Sequence, residues 1–410
     1  MRLHMSLIPQ PTILVAGKHM KVLIINTCGT YTSTGNITTA LYKRLISLGH
    51  EVEVCYGYKD GYDKNFHKVC SRMEYYISVL VCRLFGILGF NPLSTRRVKR
   101  IIDRMQPDVI QLYNLHGYYI DDIALLKYIK TKGIRTVYSM LDEYPYMGKC
   151  AYPGPCTKFQ SGCRKCPAIS LYPRSLFFDT AHRYFKKKAE AYAQFEHITF
   201  TGPQWVIERA RLSPLLHGKH LFMLNEPIDT DIFHSRQTVP HSLSKEQLQG
   251  KIIILTVAVL SNPRKGGRDF IRLAERFVDK PQFLFIYVGY DLSLAHSDNL
   301  IAIPYVYSQE ELAEYMSLAD LFVCNSKEDT MPNVCLQAML CGSPILCYNT
   351  SGMPYLAPSP IGKYVNDMDD MAHEIEQCQK KDNQISQNCV SFAKEQYGHN
   401  DVFDRLLSLY

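Results

Sequence analysis

The sequence predicts an α/β protein built from two doubly wound, mainly parallel sheets, and three observations carry that prediction. Apolar runs of about five residues alternate with amphipathic stretches along the chain, the pattern of strands covered by helices on both faces. Two groups of such runs are separated by a polar stretch at 225–250 that carries Pro227 and Pro240, which reads as a linker. The chain has 410 residues, 46% hydrophobic and 21% charged, enough to bury two cores.

In chain order, the candidate strands of the first half are 21–26, 51–55, 108–113, 134–140 and 197–201. Those of the second half are 252–260, 283–288, 299–304, 321–325 and 344–348. Residues 1–19 read as an N-terminal arm, because Met20-Lys21 opens directly onto Val22-Leu-Ile-Ile-Asn26. The expected division is a first Rossmann-like domain at 20–230 with a Cys-rich loop at 150–166, a second at 231–387, and a last helix at 388–410. A net charge of +7 is modest. It permits attraction to anionic lipids or phosphorylated ligands, but without an aromatic-interleaved basic motif it argues against nucleic acid. Ten of the fourteen cysteines are scattered through apparent core elements and no convincing signal peptide precedes them, so a reducing cytoplasm is expected.

The segment Ser326-Lys-Glu-Asp-Thr-Met-Pro-Asn-Val-Cys-Leu-Gln-Ala-Met-Leu-Cys-Gly-Ser-Pro344 carries the most chemistry. Leu321–Cys324 reads as a buried strand, Glu328 and Asp329 lie on its exit loop, Pro332 suits a first helical position, and Gly342 and Pro344 end the helix. Asp329 stands before that helix and Gln337 within it, so at about 1.5 Å rise per residue their side chains are about 8 to 10 Å apart along the axis. A nucleotide sugar spans such a gap. Its diphosphate would meet the unpaired amides at the helix start, where the backbone dipole favours negative charge.

This segment resembles the signature of the glycosyltransferase family 4 enzymes, in which two acidic residues eight positions apart bracket a helix start and precede Ala-Met-x-x-Gly-x-Pro. The pair here is Asp329 and Gln337. The resemblance implies that Asp329 holds donor-sugar hydroxyls and Gln337 the nucleoside ribose, with an amide bonding the diol more weakly than a carboxylate does. Asn225-Glu-Pro-Ile-Asp-Thr-Asp-Ile-Phe233 is similar to the family's hinge. By the same likeness the fold is GT-B, two Rossmann-like domains facing each other across a cleft, with the last helix packed back on the first domain. The donor site lies at the carboxyl ends of the strands.

Further segments fall where that geometry places a site. Ser261-Asn-Pro-Arg264-Lys265-Gly266-Gly267 follows strand 252–260. In the family this Arg and Lys neutralise the leaving diphosphate, which allows catalysis without a divalent metal or other cofactor. Thr27-Cys-Gly29-Thr-Tyr-Thr-Ser-Thr34-Gly35-Asn36 leaves the first strand and leads to a helix from Ile37 to Leu48. Its small residues let amides approach a phosphate or an acceptor sugar. His116 stands at the end of strand 108–113, and Asp142 follows Leu141 where relatives show His-Asp. Val306, in Pro304-Tyr-Val-Tyr307, is expected to touch the nucleobase through its main chain, and Gly352, in Ser351-Gly-Met-Pro354, to present an amide to the donor. Pro332, Asn333 and Val334 complete the diphosphate-binding helix start.

Cys150, Cys156, Cys163 and Cys166 sit in a Gly/Pro-rich loop with spacing Cys-x5-Cys-x6-Cys-x2-Cys. Four such thiols can close a structural zinc site, with free thiols and disulfides as the alternatives. Residues 75–90 are the most apolar run but span only sixteen positions with Arg83 in the middle, and Arg96, Arg97, Lys99 and Arg100 follow. Peripheral contact with anionic lipid on the inner face of the membrane is one reading, a buried helix beside a solvated basic one the other.

Together these features are expected to make a retaining glycosyltransferase that moves a sugar from a nucleotide diphosphate to a saccharide or lipid-linked saccharide during surface-polysaccharide synthesis. In this reading His116 and Asp142 line the reacting face. No carboxylate pair is positioned as an obvious nucleophile, so attack on the same face is expected. The rivals are a catalytically silent nucleotide-sugar-binding protein, a view encouraged by Leu141 and Gln337, and a GT-B sugar-nucleotide epimerase.

Overall fold

The structure, a computed structural model, describes residues 19–30, 32–58, 61–289 and 298–410. Of the expected N-terminal arm, residues 1–18 lie outside the described residues. Among these the first sheet holds Lys21–Cys28 (β1), Glu51–Tyr58 (β2), Phe66–Lys68 (β3), Val109–Leu112 (β4), Arg135–Ser139 (β5), Ile198–Gly202 (β6) and His220–Met223 (β7). The second holds Ile252–Val257 (β8), Phe283–Val288 (β9), Leu300–Ile303 (β10), Leu321–Cys324 (β11), Ile345–Tyr348 (β12) and Gly362–Val365 (β13). The helices of the first half are Ser33–Ser47 (α1), Arg72–Phe85 (α2), Pro92–Met105 (α3), Asp122–Lys132 (α4), Ala181–Tyr192 (α5) and Gln204–Arg211 (α6). Those of the second half are Lys245–Leu248 (α7), Gly267–Glu275 (α8), Gln309–Leu318 (α9), Asn333–Leu340 (α10), Met368–Glu376 (α11), Asn383–Tyr397 (α12) and His399–Leu407 (α13).

Strand order is β3-β2-β1-β4-β5-β6-β7 in one sheet and β10-β9-β8-β11-β12-β13 in the other, and neighbours pair in parallel. This is the GT-B arrangement. Alternation along each strand divides its side chains between two cores. Leu23 and Ile25 enter one, Val22 and Ile24 the other; Ile253 and Leu255 part from Ile254 in the same way. In both sheets the order reverses at one place, between β1 and β4 and between β8 and β11. Loops leaving neighbouring strands there diverge and open a crevice.

Three strands were not anticipated, namely β3, β7 and β13, and each is a sheet edge. They are three or four residues long, and β7 has no fully buried position, so none carries the apolar run of a strand buried on both faces. Helix α1 begins at Ser33 rather than Ile37, because the Thr32 hydroxyl accepts the Gly35 amide at 3.0 Å and caps the chain earlier. Pro332 is the N-cap of α10, one position outside the helix.

The expected single helix at 388–410 is two. Gly398 is extended (φ −56°, ψ 130°) and separates α12 from α13; a Cβ there would lie 2.5 Å from the Lys394 carbonyl oxygen. Cys389, Ala393 and Tyr397 of α12 belong to the core of the second sheet. Among the described residues of this stretch, α13 returns to the first through Val402, Phe403 and Leu406, followed by Tyr410 beyond its end. The two crossings between the sheets touch: Ile228 N–H donates to Tyr397 O at 2.8 Å, and His399 N–H donates to Ile228 O at 3.1 Å. Truncating a buried aromatic leaves a cavity, so Phe403→Ala is expected to destabilise the protein by about 3–5 kcal/mol in urea unfolding.

Candidate active site

The loops that leave β8 and β11 meet at the switch point. After β8, the Asn262 side chain accepts the Arg264 amide at 3.2 Å and folds Pro263–Lys265 into a tight turn. Gly266 ends the turn with φ +67°, and a Cβ on it would stand 1.9 Å from the Asn325 carbonyl oxygen, so only glycine lets this loop approach β11. Two cations are thereby delivered to one acid. Lys265 Nζ is ion-paired with Asp329 Oδ2, and Arg264 lies 3.5 Å from the same oxygen while donating to Glu328 O at 2.5 Å. Asp329 stands three residues before Pro332, and α10 begins without a side-chain cap, leaving its first amides unpaired by such a group. Asn333, Val334 and Gln337 are half-buried on α10, whereas Cys335, Leu336 and Ala338 are buried; Val334 packs against the second core, and Asn333 and Gln337, four apart, share the face turned from it.

Behind Asp329, Gly352 N–H donates to Asp329 O at 2.9 Å, and a Cβ on Gly352 would meet Thr330 O at 1.8 Å. Val306 lies at the end of β10, partly buried against the second core, between exposed Tyr305 and Tyr307. It comes from the sheet edge, not the switch point. Gly35 lies in the first turn of α1, where a Cβ would meet the Thr30 carbonyl carbon at 2.7 Å.

Across the crevice, His116 Nε2 and Asp142 Oδ2 are 2.5 Å apart, and His116 Nδ1 is 3.1 Å from the Tyr172 hydroxyl. Asp142 also accepts the Tyr144 amide at 3.0 Å. The domains touch directly here: the Thr330 hydroxyl donates to Leu141 O at 2.9 Å, and Gly154 N–H donates to Glu328 Oε1 at 2.6 Å. The Arg264 guanidinium lies 4.0 Å from the centre of the Tyr152 ring, close enough for cation–π attraction. A cleft of about 990 Å³ runs between these groups, lined by Tyr152, Tyr172, Trp205, Arg209, Arg264 and Glu328 among others.

Sequence reasoning passed over Glu226, Tyr152 and Tyr172. Glu226 lay in the hinge motif but was given no task; it is buried, and burial, then the Asp329 charge, push its carboxyl up to about 8. The zinc expectation is not supported. Among the described residues, the clusters compact enough for an ion are Cys324–Cys335–Cys347 and Asp229–Asp231–His399, not the thiols of 150–166. A hydrogen bond with Cys150 holds the Cys166 thiol down at about 6, and all fourteen cysteines are free thiols.

The family model for Glycosyl transferases group 1 matches residues 251–381, the span that holds Arg264, Lys265, Asp329 and Gln337. The second sheet thus carries a group 1 glycosyltransferase domain. Over 375 residues the chain is 21% identical to the putative colanic acid biosynthesis glycosyl transferase WcaC of Escherichia coli, covering 85% of the chain and 88% of that protein. Its fold matches Anabaena HepE in complex with UDP-glucose, with TM-score 0.61 and 13% identity over 95% of this chain and all of that one. It also matches WaaG, a glycosyltransferase involved in lipopolysaccharide biosynthesis, with TM-score 0.63 and 14% identity over 94% and 98% of the two chains.

Glu226 sets a pH dependence. The folded protein keeps this proton up to about pH 8, whereas the unfolded chain releases it near 4.5. Between those values the folded state binds more protons, so this group's contribution to stability falls as pH rises. Glu226→Gln removes it. The melting temperature of the variant is therefore expected to gain on the wild type from about pH 5 to about pH 8; a constant difference would show that Glu226 is ionised in the fold.

Proposed function

We propose that the protein is a retaining glycosyltransferase of family 4 that takes a sugar from a nucleoside diphosphate and places it on a saccharide, carried on lipid, during surface-polysaccharide or lipopolysaccharide assembly. The observation that carries this is the convergence of Arg264 and Lys265 on Asp329 at the amino end of α10, with Arg264 lining the cleft. In the absence of donor the acid holds both cations in place. A bound diphosphate takes over those cations and the unpaired amides of α10, freeing Asp329 for the sugar hydroxyls. Gln337, one turn along the same helix face, takes the ribose. Support for the donor class comes from HepE, solved with UDP-glucose, and for the process from WcaC and WaaG.

In the step itself the bond between the anomeric carbon and the diphosphate oxygen breaks, and the charge left on that oxygen is met by Arg264 and Lys265. The acceptor hydroxyl attacks from the face being vacated. Its proton passes to a phosphate oxygen of the donor, so the configuration is kept. His116, fixed by Asp142 and Tyr172, lines that face and orients the acceptor. Peripheral work at the cytoplasmic face of the membrane belongs to the same proposal, since a lipid-held acceptor stays there.

The test is release of nucleoside diphosphate from sugar donors without acceptor. Slow hydrolysis is expected, falling by about 10²–10³-fold in Lys265→Ala, the size of effect seen when one group that stabilises developing charge is removed. Binding of the donor with no turnover would instead identify the silent reading that Gln337 favours. Product stereochemistry read by NMR should show retention, and inversion would end the mechanism given. Restoring a carboxylate with Gln337→Glu is expected to tighten nucleoside diphosphate binding by about 1 kcal/mol, or roughly fivefold, in calorimetry.

A further inference from the structure

Thirteen of the twenty-three large apolar side chains exposed among the described residues fall in two segments, 73–93 and 171–178. Scattered exposed apolar residues need no explanation, but a gathered patch marks an interaction surface. The segments are neighbours in space. Leu176 N–H donates to Arg83 O at 2.8 Å, and the Thr180 hydroxyl donates to Gly86 O at 2.6 Å.

Helix α2 is fixed at its start by a capping box between Ser71 and Glu74 and stopped by Gly86 at φ +67°. Only Ser78 and Cys82 of its fourteen residues are buried, so the reading of this run as a buried helix is corrected: it lies on the surface. Met73, Tyr76 and Leu80 stand on its exposed face, and Phe177 and Phe178 join them from the second segment, 69% and 53% exposed. Among the described residues, no helix is long and apolar enough to cross a membrane.

Charge accompanies the patch. Arg72, Arg83 and Arg174 are exposed within the same segments. The nearby carboxylates are engaged elsewhere: Glu74 is ion-paired with Arg97 at 2.8 Å, and Asp179 accepts the Cys166 and Ala181 amides. The patch also runs into the cleft. Leu171 and Tyr172 line the cleft wall, and the Tyr172 hydroxyl meets His116.

We infer that this patch seats the protein on an anionic lipid bilayer, with the aromatic and aliphatic side chains of α2 and 171–178 in the interfacial layer and the arginines on lipid phosphates. An apolar strip edged by exposed arginines matches acyl chains beneath phosphate headgroups. A second copy fits worse, because a two-fold contact would set the same arginines against each other. The inference rests on the proposed function and deepens it: the cleft mouth at Tyr172 lies at the lipid plane, and a saccharide anchored in the bilayer reaches His116 and Asp142 without leaving it.

The experiment is vesicle flotation of the full chain. Wild type is expected to float with phosphatidylcholine vesicles containing phosphatidylglycerol and not with phosphatidylcholine alone. Leu80→Ser/Phe177→Ser/Phe178→Ser and Arg72→Glu/Arg83→Glu/Arg174→Glu should each weaken that binding by about tenfold or more. Donor hydrolysis by both in vesicle-free buffer should stay within about twofold of wild type, as for surface changes remote from the site. Equal binding by wild type and variants, or none by wild type, overturns the inference. So does a dimer in sedimentation velocity that the apolar triple variant abolishes, which would make the patch a self-contact. Wild-type protein that binds these vesicles but never hydrolyses a donor would sink the transferase reading alone.

Discussion

The arrangement of the cleft depends on one carboxylate. Lys265 and Arg264 are half-buried side by side, and two like charges so placed repel strongly unless an anion stands between them. Asp329 is that anion, 64 positions further along the chain, and it is available because β8 and β11 are neighbours at the point where strand order reverses. The glycine at 266 is the backbone's share of the same constraint, since any Cβ would push the two loops apart. Sheet topology, a left-handed glycine and a single acid therefore act together. Loss of one would misplace both cations.

Much of this was legible in the sequence, for a physical reason. Strands covered on both faces must be apolar throughout, so β1, β8, β9 and β11 stand out as runs, while the short edges β3, β7 and β13 do not. The residues that spacing assigned to strand ends, His116 with Asp142 and Arg264 with Lys265 and Asp329, do come together, because side chains at strand ends are positioned by the sheet. Tyr152, Tyr172 and Glu226 were not legible. Their partners are chosen by the folding of a long irregular insertion and by how the two sheets face each other, neither of which leaves a period in the sequence. The 150–166 cysteines drew an ion expectation from their spacing, and they are not among the compact groups of the described residues.

That insertion connects the two halves of the cleft. It places the Tyr152 ring against Arg264 and the Gly154 amide on Glu328, so a loop of the first domain rests on the turn that holds the cations of the second. Burial raises the Glu328 carboxyl above its ordinary range, while the Gly154 amide opposes that shift. The geometry of the first domain's insertion is thus felt by the loops that carry Arg264 and Glu328.

The two crossings of the chain between domains lie against one another, joined by the backbone bonds of Ile228 to Tyr397 and His399. Paired covalent links along one border leave the domains a single easy rotation, about the line through those links, and resist shear and twist. Any such rotation has to part the Gly154–Glu328 and Thr330–Leu141 hydrogen bonds and the contact of Tyr152 with Arg264 together.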